Sequence, residues 1–203
     1  MSTNEYHDAG WRTWPNAVTA IRLLCIPLYV WVLFATPHRA IAAWFLAALG
    51  ATDWVDGYLA RRLSQTSTIG KVLDPTADRI LVMTGLISVA AAGGVPWWFA
   101  GITLLREIIV SLLTVALAAL GAARIDVLWW GKVSTFVLMA TFPLYLLTTN
   151  DHAAAQHLWQ RDLRAATWVL GVGGLALAWV VFFSYVKPAK AALARGRASR
   201  QLG

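Results

Sequence analysis

The chain has 203 residues, of which 59% are hydrophobic and 13% are charged, and its formal net charge is +7. A mean hydropathy of +0.60 excludes an ordinary water-soluble domain and is typical of a polytopic helical membrane protein. The single cysteine, Cys25, excludes both a disulfide framework and a cysteine-rich metal site within one chain.

Six apolar segments follow one another along the chain, each near the length that crosses a bilayer. About 20 residues, at a helical rise of about 1.5 Å per residue, cross a hydrocarbon core of about 30 Å. The segments are 15–35, 40–62, 71–93, 96–120, 127–148 and 165–187, and the last two are separated by a polar run over 149–164. The sequence therefore predicts an all-α polytopic membrane protein with six transmembrane helices in a single domain over 1–203.

Lysine and arginine are distributed unequally between the two sides of these predicted spans. One side holds most of them, including a basic tail from about residue 188, and the other side holds Arg39, Arg161 and Arg164. The positive-inside rule then predicts a multi-pass protein of the cell membrane, with both termini and the 62–70 loop on the cytoplasmic side. Cations at the ends of apolar segments indicate that the partners are membrane lipids and phosphate groups. We expect no binding of nucleic acid.

Four aspartates lie near the predicted cytoplasmic ends of the second and third helices. Asp53 and Asp56 are three residues apart, and Asp74 and Asp78 are four apart. These spacings put each pair on one helix face, and the short connection makes the two helices antiparallel neighbours. Four crowded carboxylates would repel one another unless divalent cations bind them. Oxygen ligands suit Mg²⁺ or Mn²⁺, and two such ions can clamp the attacking and leaving oxygens of a phosphoryl transfer.

An alternative for the acidic cluster is a set of salt bridges between the helices. The cationic partners would then be Arg61, Arg62, Lys71 and Arg79. The small residues Gly57, Ala60 and Gly70 favour a ligand, because they let it approach the backbone, although each could also serve helix packing. Arg61 adds a fork of donors that suits phosphate oxygens.

The order and spacing of these residues resemble the signature of the CDP-alcohol phosphatidyltransferases. The pattern runs Asp53-x-x-Asp56-Gly57-x-x-Ala60-Arg61 and, after eight residues, Gly70-x-x-x-Asp74-x-x-x-Asp78, with every position filled as expected. Further stretches look like the branch of phosphatidylglycerophosphate synthases and cardiolipin synthases. These are WPNAVTAIRLLCIP, GKVLDPTADR, LLREIIVS and WWGKVST.

The resemblance implies both an activity and a set of roles. CDP-diacylglycerol would bind through its pyrophosphate to two metal ions, and an alcohol would displace CMP from the phosphorus that bears diacylglycerol. Asp53, Asp56 and Asp74 would be metal ligands, and Asp78 a further ligand or the general base. The CDP-diacylglycerol site would also include Gly57, Ala60, Arg61, Gly70, Asn16 and Thr19, with helix capping as the alternative for the last two. The resemblance also implies a homodimer.

Two cations are candidates for binding the acceptor alcohol. Arg106 lies in the middle of the fourth predicted helix, and Lys132 lies one turn into the fifth. Ionisable groups in a membrane span are costly and usually functional. We expect them to hold the phosphate of glycerol 3-phosphate, with phosphatidylglycerol as the alternative acceptor. The alternative without a role in binding is that Arg106 and Glu107 form an ion pair and that the Lys132 side chain extends to the membrane surface.

Two other classes of protein remain open from the residues alone. Aspartate-rich membrane prenyltransferases also bind a metal-held diphosphate, but they lack the Asp-Gly-x-x-Ala-Arg segment. A small cation transporter could use the four acids as its ion site. It would need a pathway across the whole membrane, whereas these acids all belong to the predicted cytoplasmic half.

Overall fold

The structure is a computed structural model, and it describes residues 14–63, 70–120, 129–149, 158–185, 188–189 and 191–192. Within those ranges it describes the side chains of all residues except 14–16, 53–63, 70–75, 118 and 158. The regular secondary structure of this part of the chain is helical throughout. The predicted all-α class is therefore confirmed.

Six long helices make up the described part of the chain. They are α1 (Trp14–Ala35), α2 (Arg39–Leu63), α3 (Gly70–Ala91), α4 (Trp97–Ala119), α5 (Trp129–Leu147) and α6 (Leu158–Ser184). The first five begin and end within about two residues of the predicted segments, which is the usual uncertainty of a helix boundary.

The predicted start of the sixth helix is wrong. The hydropathy pattern places it at residue 165, whereas α6 begins at Leu158. The additional turns carry Arg161 and Asp162, which are exposed, and Arg164. Backbone hydrogen bonds within a helix do not require apolar side chains, so hydropathy detects only the apolar part of this helix.

Within the described residues, four helices are long and apolar enough to cross a membrane. Their candidate spans are Ala17–Ala35, Trp97–Leu117, Trp129–Leu147 and Trp159–Ser184. Large apolar side chains on them face outward, as a lipid environment allows: Leu24 is 75% exposed, Phe136 70% and Val169 73%. The chain is a multi-pass membrane protein. The described apolar part of α2, Arg39–Thr52, is shorter, so a crossing by α2 and α3 stays a prediction.

The chain divides into two compact units, of which the first holds residues 1–94 and 142–153. In this unit α1 packs against both α2 and α3. The hydroxyl groups of Tyr29 in α1 and Ser88 in α3 share a hydrogen bond of 2.8 Å in the buried interior. At the start of α2, Arg39 Nη1 donates to the carbonyl oxygen of Ala92, the residue after the end of α3, at 2.8 Å. Both contacts hold α3 against its neighbours.

The end of α3 is set by a glycine. Gly93 has a φ of 75°, a left-handed conformation that glycine adopts without steric penalty. The Gly94 amide donates to the Val89 carbonyl oxygen at 2.8 Å, and the Gly93 amide donates to that of Ala90 at 3.0 Å. This bonding satisfies carbonyl groups that the helix end would leave without partners. The helix therefore ends at Ala91, two residues before the predicted end.

The second compact unit holds residues 95–141 and 154–203. In its described part, Trp168 of α6 stacks on Trp98 of α4, with ring centroids 6.4 Å apart, and meets the edge of Phe99 at 5.6 Å. Gly174 lets α6 approach α5 closely, since a Cβ there would lie 3.0 Å from Val137 Cγ1. Small residues at such crossings are typical of helix packing in membranes.

Candidate active site

The four predicted metal ligands lie on the adjoining ends of α2 and α3. Asp53 and Asp56 belong to the last three turns of α2, and Asp74 and Asp78 belong to the first turns of α3. Both segments are helical, so the spacings of three and four residues do place each pair on one helix face. The side chains of Asp53, Asp56 and Asp74 lie outside the described residues, and that of Asp78 is described.

Contacts farther along α2 and α3 indicate the register between the two helices. The Arg39 side chain reaches the carbonyl group of residue 92, and Leu46 Cδ1 lies 3.3 Å from a Cβ added to Gly85, so residues 39 and 46 lie near the levels of residues 92 and 85. Two antiparallel helices with equal rise per residue keep this relation along their length. Continued along both helices, this register predicts Asp53 near the level of Asp78, and Asp56 near that of Asp74.

Asp78 is held by an arginine from a third helix. Arg22 Nη1 in α1 donates to Asp78 Oδ1 at 2.6 Å, and the two groups form an ion pair. The Arg22 side chain is 1% exposed, whereas the Asp78 side chain is 40% exposed. A carboxylate offers about four lone-pair sites, so the bond from Arg22 is compatible with further ligation by Asp78.

Arg22 also reaches the acid-bearing end of α2. Its Nε donates to Thr52 Oγ1 at 3.3 Å, and the Thr52 hydroxyl donates to the Leu49 carbonyl oxygen at 2.6 Å. Thr52 is the residue immediately before Asp53. No role was predicted for Arg22 from the sequence, although a cation inside the apolar span Ala17–Ala35 is a signal that could have identified it.

Asp78 therefore does form a salt bridge between helices, as the alternative for the acidic cluster predicted, but its partner is different. The cation is Arg22, which was not among the four cations proposed for that alternative. Of those four, the structure describes the side chain of Arg79 only, and those of Arg61, Arg62 and Lys71 lie outside it.

The predicted CDP-diacylglycerol residues lie around the same two helix ends and on α1. Gly57, Ala60 and Arg61 follow the acids on α2, and Gly70 begins α3; their surroundings lie outside the described side chains. Thr19 is fully buried and lies three residues before Arg22 on α1. Because α1 begins at Trp14, neither Asn16 nor Thr19 occupies the capping position that was the alternative for them. The side chain of Asn16 is not described.

The two predicted acceptor-binding cations belong to the second unit. Arg106 on α4 is 6% exposed, and its Nη1 donates to Glu107 Oε1 in a short ion pair. Its Nε is buried and has no hydrogen-bond partner among the described residues. Lys132 on α5 is exposed. The pairing of Arg106 with Glu107, which was an alternative to acceptor binding, is therefore present, but it leaves one donor of the guanidinium unused in this part of the chain.

The residue types at the adjoining ends of α2 and α3 are those that divalent cations prefer. The register puts the two pairs of aspartate positions at matching levels of α2 and α3, and oxygen donors of the aspartate type suit Mg²⁺ and Mn²⁺. Among the described side chains no three His, Cys, Asp or Glu residues come together, and three of the four aspartates lie outside that set. The fit therefore rests on the donor chemistry and on the helix register.

The fold defines a class, the helical membrane proteins, and the acidic ends of α2 and α3 are where a metal-bound phosphate group is predicted. The family model for CDP-alcohol phosphatidyltransferases matches residues 12–186, and the chain belongs to this family. It is therefore a transferase of phospholipid biosynthesis. This confirms the predicted enzyme class against both the prenyltransferases and the cation transporter.

Curated relatives carry names from both predicted branches. The chain is 34% identical over 163 residues, 80% of this chain and 76% of the relative, to a Mycobacterium tuberculosis protein named "Putative cardiolipin synthase". It is 36% identical over 144 residues, 68% of this chain and 75% of the relative, to the CDP-diacylglycerol--glycerol-3-phosphate 3-phosphatidyltransferase of Blochmanniella floridana. A cardiolipin synthase (CMP-forming) of Streptomyces coelicolor is 33% identical over 180 residues, 86% of this chain and 81% of the relative.

Proposed function

We propose that the protein transfers the phosphatidyl group of CDP-diacylglycerol to glycerol 3-phosphate and releases CMP. The register of α2 and α3 carries the proposal, because it supports a single site built from Asp53, Asp56, Asp74 and Asp78. These four carboxylates would hold two ions of Mg²⁺ or Mn²⁺. When bound, the ions would neutralise charge on the pyrophosphate of the donor and on the departing CMP.

The reaction is a displacement at one phosphorus atom. The acceptor hydroxyl oxygen bonds to the phosphorus that bears diacylglycerol, and the bond from this phosphorus to the bridging oxygen breaks. The bonding electron pair leaves with CMP. The hydroxyl proton passes to a carboxylate, and Asp78 is our candidate for this general base because its side chain is partly exposed while its Oδ1 is held by Arg22.

The remaining predicted donor-site residues take supporting roles in this proposal. Gly57, Ala60 and Gly70 leave room for CDP-diacylglycerol beside the acids, and Arg61 supplies donors to phosphate oxygens. Asn16 and Thr19 line the nucleotide end of the site.

Arg106 and Lys132 are the proposed contacts of the acceptor. The observation in favour of Arg106 is its buried Nε, which lacks a partner within the described part of the chain and would gain one from a phosphate oxygen. Glycerol 3-phosphate carries a phosphate dianion, which makes charge-assisted hydrogen bonds to both cations.

The second candidate function is cardiolipin synthesis, with phosphatidylglycerol as the acceptor. The ion pair between Arg106 and Glu107 favours it, because a partly neutralised arginine suits an acceptor with a single negative charge. Two of the relatives described above also carry cardiolipin synthase names.

A panel of acceptors separates these two candidates. Purified protein would be given CDP-diacylglycerol, Mg²⁺ or Mn²⁺, and in separate reactions glycerol 3-phosphate, phosphatidylglycerol, inositol phosphate or serine. We expect CMP release and phosphatidylglycerophosphate formation with glycerol 3-phosphate alone. Formation of cardiolipin without phosphatidylglycerophosphate would show that the second candidate is correct.

The proposal places the protein in the cell membrane as a homodimer, with both termini and the active site on the cytoplasmic side. It treats residues 1–203 as one membrane domain with a basic cytoplasmic tail from about 188. The asymmetric distribution of lysine and arginine supports this orientation.

Labelling of single cysteines tests the orientation. In a Cys25→Ala background, Gln65→Cys and Gln201→Cys should react with an impermeant maleimide only from the cytoplasmic face. Ala154→Cys should react from the outside, since five predicted spans, an odd number, lie between the cytoplasmic N-terminus and residue 154. Labelling of position 65 from the outside would place the aspartates on the wrong side of the membrane for this proposal.

A further inference from the structure

We infer that Arg22 is a positioning residue for the transfer reaction. It holds the Asp78 carboxylate and the acid-bearing end of α2 in fixed relation to each other. This inference rests on the proposed function, since the position of Asp78 matters to turnover only if the aspartates form the site.

The geometry around Arg22 connects three helices through one side chain. Its guanidinium donates from Nη1 to Asp78 on α3 at 2.6 Å and from Nε to Thr52 on α2 at 3.3 Å, while its own backbone belongs to α1. A guanidinium is planar and its donors point in fixed directions. Two bonds from different nitrogen atoms therefore constrain the distance and the angle between Asp78 and Thr52.

The contact with Thr52 extends this constraint to the first acid on α2. The Thr52 hydroxyl accepts from Arg22 and donates to the Leu49 carbonyl oxygen at 2.6 Å, so it is fixed on both sides. Asp53 is the next residue in the same helix, and Asp56 lies one turn further on. A rotation of α2 about its axis would move both acids, and the Arg22–Thr52 bond opposes it.

Burial distinguishes Arg22 from an ordinary surface ion pair. The Arg22 side chain is 1% exposed and lies in a candidate membrane span, where an unpaired cation would be strongly unfavourable. Its partner Asp78 is 40% exposed. The arrangement therefore consists of a buried, rigid anchor behind an accessible carboxylate. Reactive groups need such support, because their geometry must hold within about 0.5 Å.

Two other contacts in the same unit provide matched controls. The hydrogen bond between Tyr29 and Ser88 joins α1 to α3, and that from Arg39 to Ala92 joins α2 to α3. Both tie together the helices that Arg22 ties, but neither involves an acid of the proposed site. Tyr29→Phe and Arg39→Met should therefore lower stability without a specific effect on turnover.

The experiment compares turnover and thermal stability in full-length protein purified in detergent. The variants are Arg22→Met, Arg22→Lys, Thr52→Val, Asp78→Asn, the double variant Arg22→Met with Asp78→Asn, and the two controls. For each, kcat, KM for CDP-diacylglycerol and the thermal unfolding midpoint Tm are measured. Arg22→Lys keeps the positive charge but cannot reach Thr52 and Asp78 with a fixed fork.

We expect Arg22→Met to lower kcat by about tenfold to a hundredfold, the usual effect of removing a group that orients a ligand, while KM changes by less than about threefold. Thr52→Val should lower kcat by a smaller factor, and Arg22→Lys should recover part of the loss. The controls should keep kcat within about twofold of wild type. If Arg22→Met does not fold, a loss of kcat in Arg22→Lys at unchanged Tm supports the inference in its place.

Two results would overturn the inference. One is wild-type kcat in Arg22→Met, or in Arg22→Lys where only that variant folds. The other is a loss of kcat that follows Tm in the same proportion as in the two controls, since that is the behaviour of a purely structural residue.

The cycle of Arg22 and Asp78 variants separates this inference from the proposed function. If the two side chains interact, the fall in Tm of the double variant should be smaller than the combined falls of the single variants. Full activity of Asp78→Asn would overturn the role of Asp78 in the proposed function. Loss of activity in Asp78→Asn with full activity in Arg22→Met would overturn the positioning role alone.

Discussion

Turnover should fall by about a hundredfold or more when Asp53, Asp56 or Asp74 is changed to asparagine. Removal of a group that merely orients a metal ligand typically costs about tenfold to a hundredfold, and the loss of a ligand should cost at least as much. Asparagine keeps the size of the side chain but removes the negative charge that binds Mg²⁺ or Mn²⁺. The measurement is CMP release from CDP-diacylglycerol under saturating substrate.

Controls for this prediction separate a lost site from a lost fold. Each variant should insert in the membrane and keep the wild-type Tm to within a few degrees, because removing a carboxylate from a crowded set also removes repulsion. Chelation of divalent cations should abolish wild-type turnover reversibly. Substantial activity in any one of the three variants would remove that aspartate from the proposed metal site.

A second large effect is expected on the acceptor side. Arg106→Ala should raise KM for glycerol 3-phosphate by roughly tenfold to a hundredfold, because a hydrogen bond to a charged group contributes about 1.5–3 kcal/mol. Lys132→Ala should raise the same KM by a smaller factor, since Lys132 is exposed and its interactions are screened by solvent. KM for CDP-diacylglycerol should change little in either variant. Initial rates over a matrix of both substrate concentrations give the two constants separately.

The matched control for this second prediction is Arg161→Ala. Arg161 is an exposed cation on α6 in the same compact unit, and the distribution of charges places it on the opposite side of the membrane. It should leave both KM values unchanged. Equal increases in the KM values for both substrates in Arg106→Ala would contradict a specific contact with the acceptor, as would an unchanged KM for glycerol 3-phosphate.

Arg106 is also where the two candidate acceptors differ most in physical terms. Glu107 already accepts a hydrogen bond from Arg106 Nη1, so part of the positive charge of the Arg106 guanidinium is compensated within α4. A phosphate dianion would compete well for such a cation, whereas a lipid phosphodiester brings one negative charge. The size of the KM effect therefore also reports on the acceptor.

The amino-acid sequence by itself determined the class of fold and the family. Apolar segments of bilayer length predict helices because each helix satisfies its own backbone hydrogen bonds, which is a local property. The spacing of Asp53, Asp56, Asp74 and Asp78 predicts two same-face pairs because the helical repeat is local as well. The hydropathy pattern did not predict the start of α6, because the helix begins before its apolar segment does.

Only the tertiary structure decided which side chains meet. Arg22 lies 30 residues from Thr52 and 56 residues from Asp78 in the sequence. The residues around Arg22 do not predict either partner. The level of Asp53 relative to Asp78 likewise follows from contacts near the opposite ends of α2 and α3. Such partners depend on which helix faces pack and in which register, and packing is a property of the whole unit rather than of any one segment.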